Sequence, residues 1–163
     1  LTAEGGMHSS TAGIIISLFF IAIMAPGFIL GDIVRLLGNK TNLCSLIVMA
    51  AGLGLMSLSK PTETTLCLGA ALSGIGYGVM QPLIYDKAAT NAPPHLATLA
   101  LSIVMAVNYL AILVAPFIID LTGRIFDSES HKLAFMVNAT LTLLLAAITA
   151  LLYRRSRVLG SDD

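Results

Sequence analysis

From Thr11 to Leu30 the chain runs twenty residues without a single Asp, Glu, Lys, Arg or His. A helix rises about 1.5 Å per residue, so a run of this length spans the roughly 30 Å hydrocarbon core of a bilayer. Four more uncharged runs follow, at Leu43–Ser59, Thr64–Tyr85, Ala97–Ile119 and Leu133–Tyr153. The shortest, Leu43–Ser59, has seventeen residues and sits at the lower limit for a span. Backbone amides in lipid have no water to bond, so each run must close its own hydrogen bonds as a helix or join a closed barrel. The alternation of polar and apolar residues that marks a barrel strand is absent. Composition points the same way. Charged residues make up 11% of the chain and hydrophobic ones 56%, against roughly 25% charged in soluble domains. A single soluble domain could not cover that much apolar surface. The expected fold is all-α: a polytopic bundle of five transmembrane helices in a lipid bilayer, with a cytoplasmic tail at 154–163.

The connectors carry the charges and the turn chemistry. "SKPTE" (59–63) reads as a tight helix–helix turn. "DKAATNAPPH" (86–95) holds Pro93 and Pro94, which end one helix before the next begins. "DLTGRIFDSESHK" (120–132) reads as a longer polar connector. Lys and Arg in short loops set orientation. One side carries Arg35, Lys40, Lys87, Arg154, Arg155 and Arg157, and the other Lys60, Arg124 and Lys132. The richer side is expected to be cytoplasmic, which puts the C-terminus inside.

Several function classes lose support. Net charge is zero, so no nucleic acid partner is expected. Cys44 and Cys67 lie in apolar runs without C-x-x-C spacing and read as buried thiols. His8, His95 and His131 fall in connectors, far apart, without metal-ligand spacing. No Ser-His-Asp grouping and no phosphate-binding loop is visible. The reading is therefore not an enzyme, with no cofactor and no metal. The sequons at Asn39 and Asn138 read as chance matches, one facing the cytoplasm and one inside a span.

"GDIVRLLGNK" (31–40) is the polar connector between the first two runs. Gly31 is expected to end a helix and Gly38 to permit a tight turn. This stretch resembles the loop signature of the major facilitator superfamily, G-x-x-x-D-R-x-G-R-K. Gly31, Gly38 and Lys40 match it, while Arg35, Leu36 and Asn39 stand where the signature has an acid and two bases. The third run, "LGAALSGIGYGVMQPLIYDKA", and the end of the fourth, "LAILVAPFIIDLTGR", look like the tenth and eleventh helices of a facilitator. The resemblance covers nearly the whole chain, as helices eight to twelve of a twelve-helix fold. It implies a C-terminal portion of a secondary transporter in a bacterial inner (plasma) membrane, working with the missing N-terminal helices of the same protein. Gly31, Arg35, Gly38 and Lys40 would then form a cytoplasmic gating loop. The Leu1 start, with no basic n-region and cleavage site after it, fits a fragment.

Helical periodicity picks out candidate solute contacts. On the third run Ser73, Tyr77 and Gln81 recur every four residues as a polar stripe. Beside them Ala70, Gly74 and Gly78 form a small-residue stripe suited to close packing in lipid. On the fourth run Ser102, Met105 and Asn108 share a face. Asn108 lies near mid-span, where transporters place binding sites. The first run offers Ser17 with Phe20, Met24 and Phe28, and Pro26 as a kink site. Asn138, Thr142, Thr149 and Tyr153 on the fifth run read as packing or interface anchors. For each polar residue an interhelical hydrogen bond is the competing role.

No ionisable group lies inside any of the five runs, so a proton-coupling carboxylate would have to come from elsewhere. The reading is a transporter part that moves a small organic molecule by alternating access, with efflux ahead of uptake. The alternative is a self-contained five-span scaffold or assembly subunit.

Overall fold

The computed structural model describes residues 9–58, 62–125 and 131–159. Among the described residues there are five helices: α1 (Ser9–Leu37), α2 (Thr41–Met56), α3 (Glu63–Asn91), α4 (Ala97–Ile125) and α5 (His131–Leu159). Short 3-10 turns at Gly38–Lys40 and Pro94–Leu96 join α1 to α2 and α3 to α4. Among the described residues, four helical stretches are long and apolar enough to cross a membrane: Ser10–Met56, Glu63–Asn91, Pro94–Gly123 and Leu133–Tyr153.

The first stretch has 47 residues, about 70 Å if straight at 1.5 Å per residue. It is instead folded back on itself, as its register on α3 shows. Gly74 of α3 abuts Phe19 and Ala22 of α1, and Gly78 abuts Ile23, so the two helices run parallel. Gly69 abuts Met56 of α2, whereas Gly76 abuts Ser45 and Met49, so these two run antiparallel. The chain therefore reverses between α1 and α2, at Gly38–Lys40.

Gly38 makes that reversal possible. Its φ of +51° is the left-handed region, which costs an ordinary L-residue about 1–2 kcal/mol. The Thr41 hydroxyl donates to the Gly38 carbonyl oxygen at 2.7 Å, and the Thr41 backbone N–H bonds the same oxygen. The helix end expected at Gly31 is not there. α1 continues to Leu37, which puts Gly31 and Arg35 in its last turns and leaves Gly38 and Lys40 in the connector. A glycine inside a helix costs about 1 kcal/mol. That is too little to stop a helix whose next residues include Ile33, Val34, Leu36 and Leu37.

Three other boundaries move outward, the first at the end of α3, which continues past Tyr85 to Asn91, so most of the expected 86–95 connector is helical. α4 continues through Asp120 to Ile125, so half of the expected polar connector is helical. α5 continues past Tyr153 to Leu159, into what was expected as tail. In the "SKPTE" turn, residues 59–61 lie outside the described residues, as do 126–130 and 160–163. α3 begins with Thr62 as its N-cap, whose Oγ1 accepts from the Thr65 N–H at 3.2 Å. It ends where Ala92 turns extended ahead of Pro93, as the double proline demands.

α3 is the centre of the bundle. It packs most heavily on α2 and α1, and more sparsely on α4; α5 leans on α2. Leu66 is fully buried, in a cluster with Ile15, Met56 and Ala70. Phe19, Cys67 and Phe135 close around that cluster. Two seams hold α3 to its neighbours, both built from small residues. In the α2 seam a Cβ on Gly52 would lie 2.6 Å from the Gly69 carbonyl oxygen and also against Ser73. In the α1 seam a Cβ on Gly74 would lie 2.7 Å from the Phe19 carbonyl oxygen. Backbone thus meets backbone, which maximises dispersion contact where no hydrophobic driving force separates helix from lipid.

Candidate functional site

The two seams account for most of the small residues of α3 and leave one polar cluster. Near the C-terminal end of α3, Gln81 Nε2 donates to Tyr85 Oη at 3.0 Å. From α4, Asn108 Nδ2 donates to the same oxygen at 3.3 Å. All three side chains are half-buried. The spacing is what a helix dictates, since Gln81 and Tyr85 are four residues apart and stack on one face. α3 and α4 are joined by a short connector, which brings Asn108 back alongside the last turns of α3. A phenol oxygen has two lone pairs, and the two amides take both.

The cluster is neutral. α3 carries no charge between Glu63 and Asp86, and α4 none between its start and Asp120. Two amides and a phenol offer both donors and acceptors, so the group can meet a hydroxyl, carbonyl or amide without a formal charge. An amide or hydroxyl in lipid is costly to leave unpaired, and each of these three has a partner within the cluster.

The other candidates scatter. Ser73 is only 4% exposed, locked in the seam against Gly52 of α2, and its hydroxyl has no hydrogen-bond partner. Tyr77, the next residue of the stripe, is half-buried. Ser102 is exposed and donates to its own helix at Thr98 O, 2.9 Å away. Ser17 is exposed on α1, as are Phe20, Met24 and Phe28. On α5, Asn138, Thr142 and Thr149 donate back to the carbonyls of Ala134, Asn138 and Leu145, each at 2.7–2.8 Å. Of the connector residues, Gly31, Arg35, Gly38 and Lys40 are all exposed. Arg35 stands in the last turn of α1, where a cation complements the helix dipole.

Tyr85 is the residue the sequence reading passed over. The signal was present: Tyr85 continues the Ser73–Tyr77–Gln81 spacing by one more step of four. Its place at the end of an uncharged run, next to Asp86, masks it as the next member of the stripe.

Prolines lie inside three of the helices. Pro26, Pro82 and Pro116 lie inside α1, α3 and α4, while α2 and α5 have none. Each removes one helical N–H and frees the carbonyl four residues earlier. For Pro26 and Pro82 those are the carbonyls of Ala22 and Gly78, both in the α1–α3 seam. A concavity of about 460 Å³ lies between α4 and α5, lined by Val107, Ala111, Val114, Ala134 and Leu141 among others. It is almost wholly apolar.

A family model described as Major Facilitator Superfamily matches residues 1–162. No curated protein and no solved structure matches the chain. The match spans almost the full sequence, and it meets an all-helical bundle with membrane-crossing stretches, glycine seams and no strand among the described residues. The chain is an integral membrane protein and belongs to the major facilitator superfamily, a family of membrane transporters.

Proposed function

We infer that this chain forms part of a secondary active transporter that moves a small organic solute by alternating access. The observation that carries the reading is the Gln81–Tyr85–Asn108 cluster, a neutral polar group joining two proline-bearing helices of a facilitator-family bundle. The reversal at Gly38–Lys40 supports a reading with five crossings, and the excess of Lys and Arg on one side supports a cytoplasmic C-terminus. α1, α3 and α4 supply one wall of the cavity, and the other helices of the facilitator fold supply the facing wall. α2 and α5 lie behind α3 and toward lipid. Tyr77 and Ser102 extend the wall beside the cluster, and Ser17 contributes from α1. Efflux from an inner (plasma) membrane is favoured over uptake, because export of amphipathic organic molecules suits the apolar, Met- and Phe-bearing face of α1. The connector around Gly38 and Lys40, with Gly31 and Arg35 in the helix end before it, braces α1 against α2 as the bundle changes shape.

The test is transport by the purified full-length protein in proteoliposomes, using neutral, cationic and anionic organic solutes in parallel. Uptake or exchange of one class, with Asn108→Leu raising its KM while folded yield holds, supports the reading. Transport with unchanged KM in Asn108→Leu removes Asn108 from the cavity. No movement of any class would favour a scaffold role.

A further inference from the structure

We propose that the Asn108–Tyr85 hydrogen bond is a latch that holds α4 against α3, and that Tyr85 is a positioning residue for the movement of α4. The latch rests on the transport reading only for its purpose; its geometry stands without it.

The argument begins with the contrast in how α3 meets its neighbours. Toward α1 and α2 the contacts run through glycine, with carbonyl oxygens of one helix where a Cβ of the other would sit. Such a seam cannot slide without losing contact along its whole length. Toward α4 the packing is sparser, and none of the side chains of α4 is buried through its most apolar stretch. Whatever lies on the other faces of α4, its tie to α3 runs through side chains. Among the described residues, the bond that joins the side chains of these two helices is Asn108 Nδ2 to Tyr85 Oη.

That bond is built to give way. At 3.3 Å it is long against the usual N–H···O separation of about 2.9–3.0 Å. Tyr85 does not lose all its partners when α4 leaves, because Gln81 on its own helix keeps donating at 3.0 Å. Gln81 therefore lowers the cost of breaking the latch: the phenol oxygen is never left bare in lipid. Asn108, freed, presents its amide to whatever takes the place of α3. A solute hydroxyl or carbonyl reaching Tyr85 or Asn108 competes for the same bond, so occupancy and the position of α4 are linked. The expected size is modest, about a threefold change in the ratio of latched to released α4, the scale of an average side-chain hydrogen bond between helices in lipid.

The experiment uses the full-length protein in lipid nanodiscs, with Cys44 and Cys67 replaced by alanine and spin labels at two exposed sites. Labels at Leu68 of α3 and Ile118 of α4 report on α4 far from its connector, where a swing is largest. Labels at Leu68 and Ile47 of α2 report on the glycine seam. No solute is needed. Tyr85→Phe, which removes one oxygen, should broaden or shift the 68–118 distance distribution and leave the 47–68 distribution unchanged. Asn108→Leu should do the same, and the double variant should move it no further than either single. Gln81→Leu should leave the 68–118 distribution in place or narrow it, since the bond to α4 survives and breaking it would now leave the Tyr85 oxygen bare. An unchanged 68–118 distribution in both Tyr85→Phe and Asn108→Leu overturns the latch. So does an equal change in the 47–68 pair, an equal change in Gln81→Leu, or full additivity in the double variant. These outcomes leave the transport reading standing, because that is decided separately by solute movement in vesicles.

Discussion

α3 presents two kinds of surface, and they differ in what they can tolerate. Its seams with α1 and α2 are made of absent side chains: Gly52, Gly69, Gly74, Gly76 and Gly78 are places where any Cβ would meet another helix. Its contact with α4 is sparser and includes a bond between long side chains, Asn108 to Tyr85. The first kind of surface fixes a distance between helix axes. The second fixes only a hydrogen bond, and side-chain torsions can absorb movement around it. A transporter needs both kinds, a rigid frame and an element that shifts against it.

The largest expected effect tests the frame. Gly52→Ala should destabilise the bundle by about 1–3 kcal/mol, the usual cost of overpacking, because its Cβ would lie 2.6 Å from the Gly69 carbonyl oxygen. Gly54 is the internal control. It sits two residues away on the same helix with nothing within 4 Å, so Gly54→Ala should be neutral or gain up to about 1 kcal/mol in helix propensity. Thermal unfolding followed by size-exclusion chromatography separates the two. Equal midpoints would mean that the seam is slack.

The next effect tests the connector. Gly38→Val forces a β-branched residue into φ +51° and should cost about 1–2 kcal/mol at the turn. Space is not the issue, since a Cβ there meets nothing within 4 Å. Gly38→Asn should therefore keep most of the wild-type stability and transport, because asparagine tolerates the left-handed region. Val and Asn behaving alike would show that the turn can re-form with another backbone.

The contrast between the two surfaces was only half legible in the sequence. Uncharged runs gave the helices, since length and the absence of charge are local properties. The Ala70–Gly74–Gly78 stripe was legible as a packing face for the same reason. Gly31 misled because a glycine marks a helix end only when the following residues decline to continue, and here Leu36 and Leu37 continue it. The helix extensions through Asp120 and past Tyr153 were hidden because a charge ends a membrane run without ending a helix. Ser73 was hidden for a different reason. Its spacing matches the polar stripe, but which face of α3 meets α2 depends on where α2 lies, and no single run encodes that.

A smaller effect tests the movable side. Asn108→Leu and Tyr85→Phe should each lower stability by only about 0.6 kcal/mol, the average for an interhelical side-chain bond in lipid. Their larger signature is in solute KM rather than in the melting midpoint. A drop in midpoint matching that of Gly52→Ala would place α4 in the frame with α1 and α2, and the distinction between the two surfaces would fail.

The smallest effect has the opposite sign and returns to the seam. Ser73 faces Gly52, is 4% exposed and has an Oγ without a partner. A buried hydroxyl that bonds nothing contributes no net stability and carries a desolvation cost. Ser73→Ala removes that oxygen and leaves the Cβ, so the seam keeps its shape. The midpoint should hold or rise slightly, where Gly52→Ala across the same seam lowers it. The pair isolates what the seam depends on: one change adds a carbon where backbone must pass, the other removes an oxygen that nothing uses. A fall in the Ser73→Ala midpoint would mean that the hydroxyl has a bonded partner in the membrane, and that α2 and α3 are held by polarity as well as by close approach.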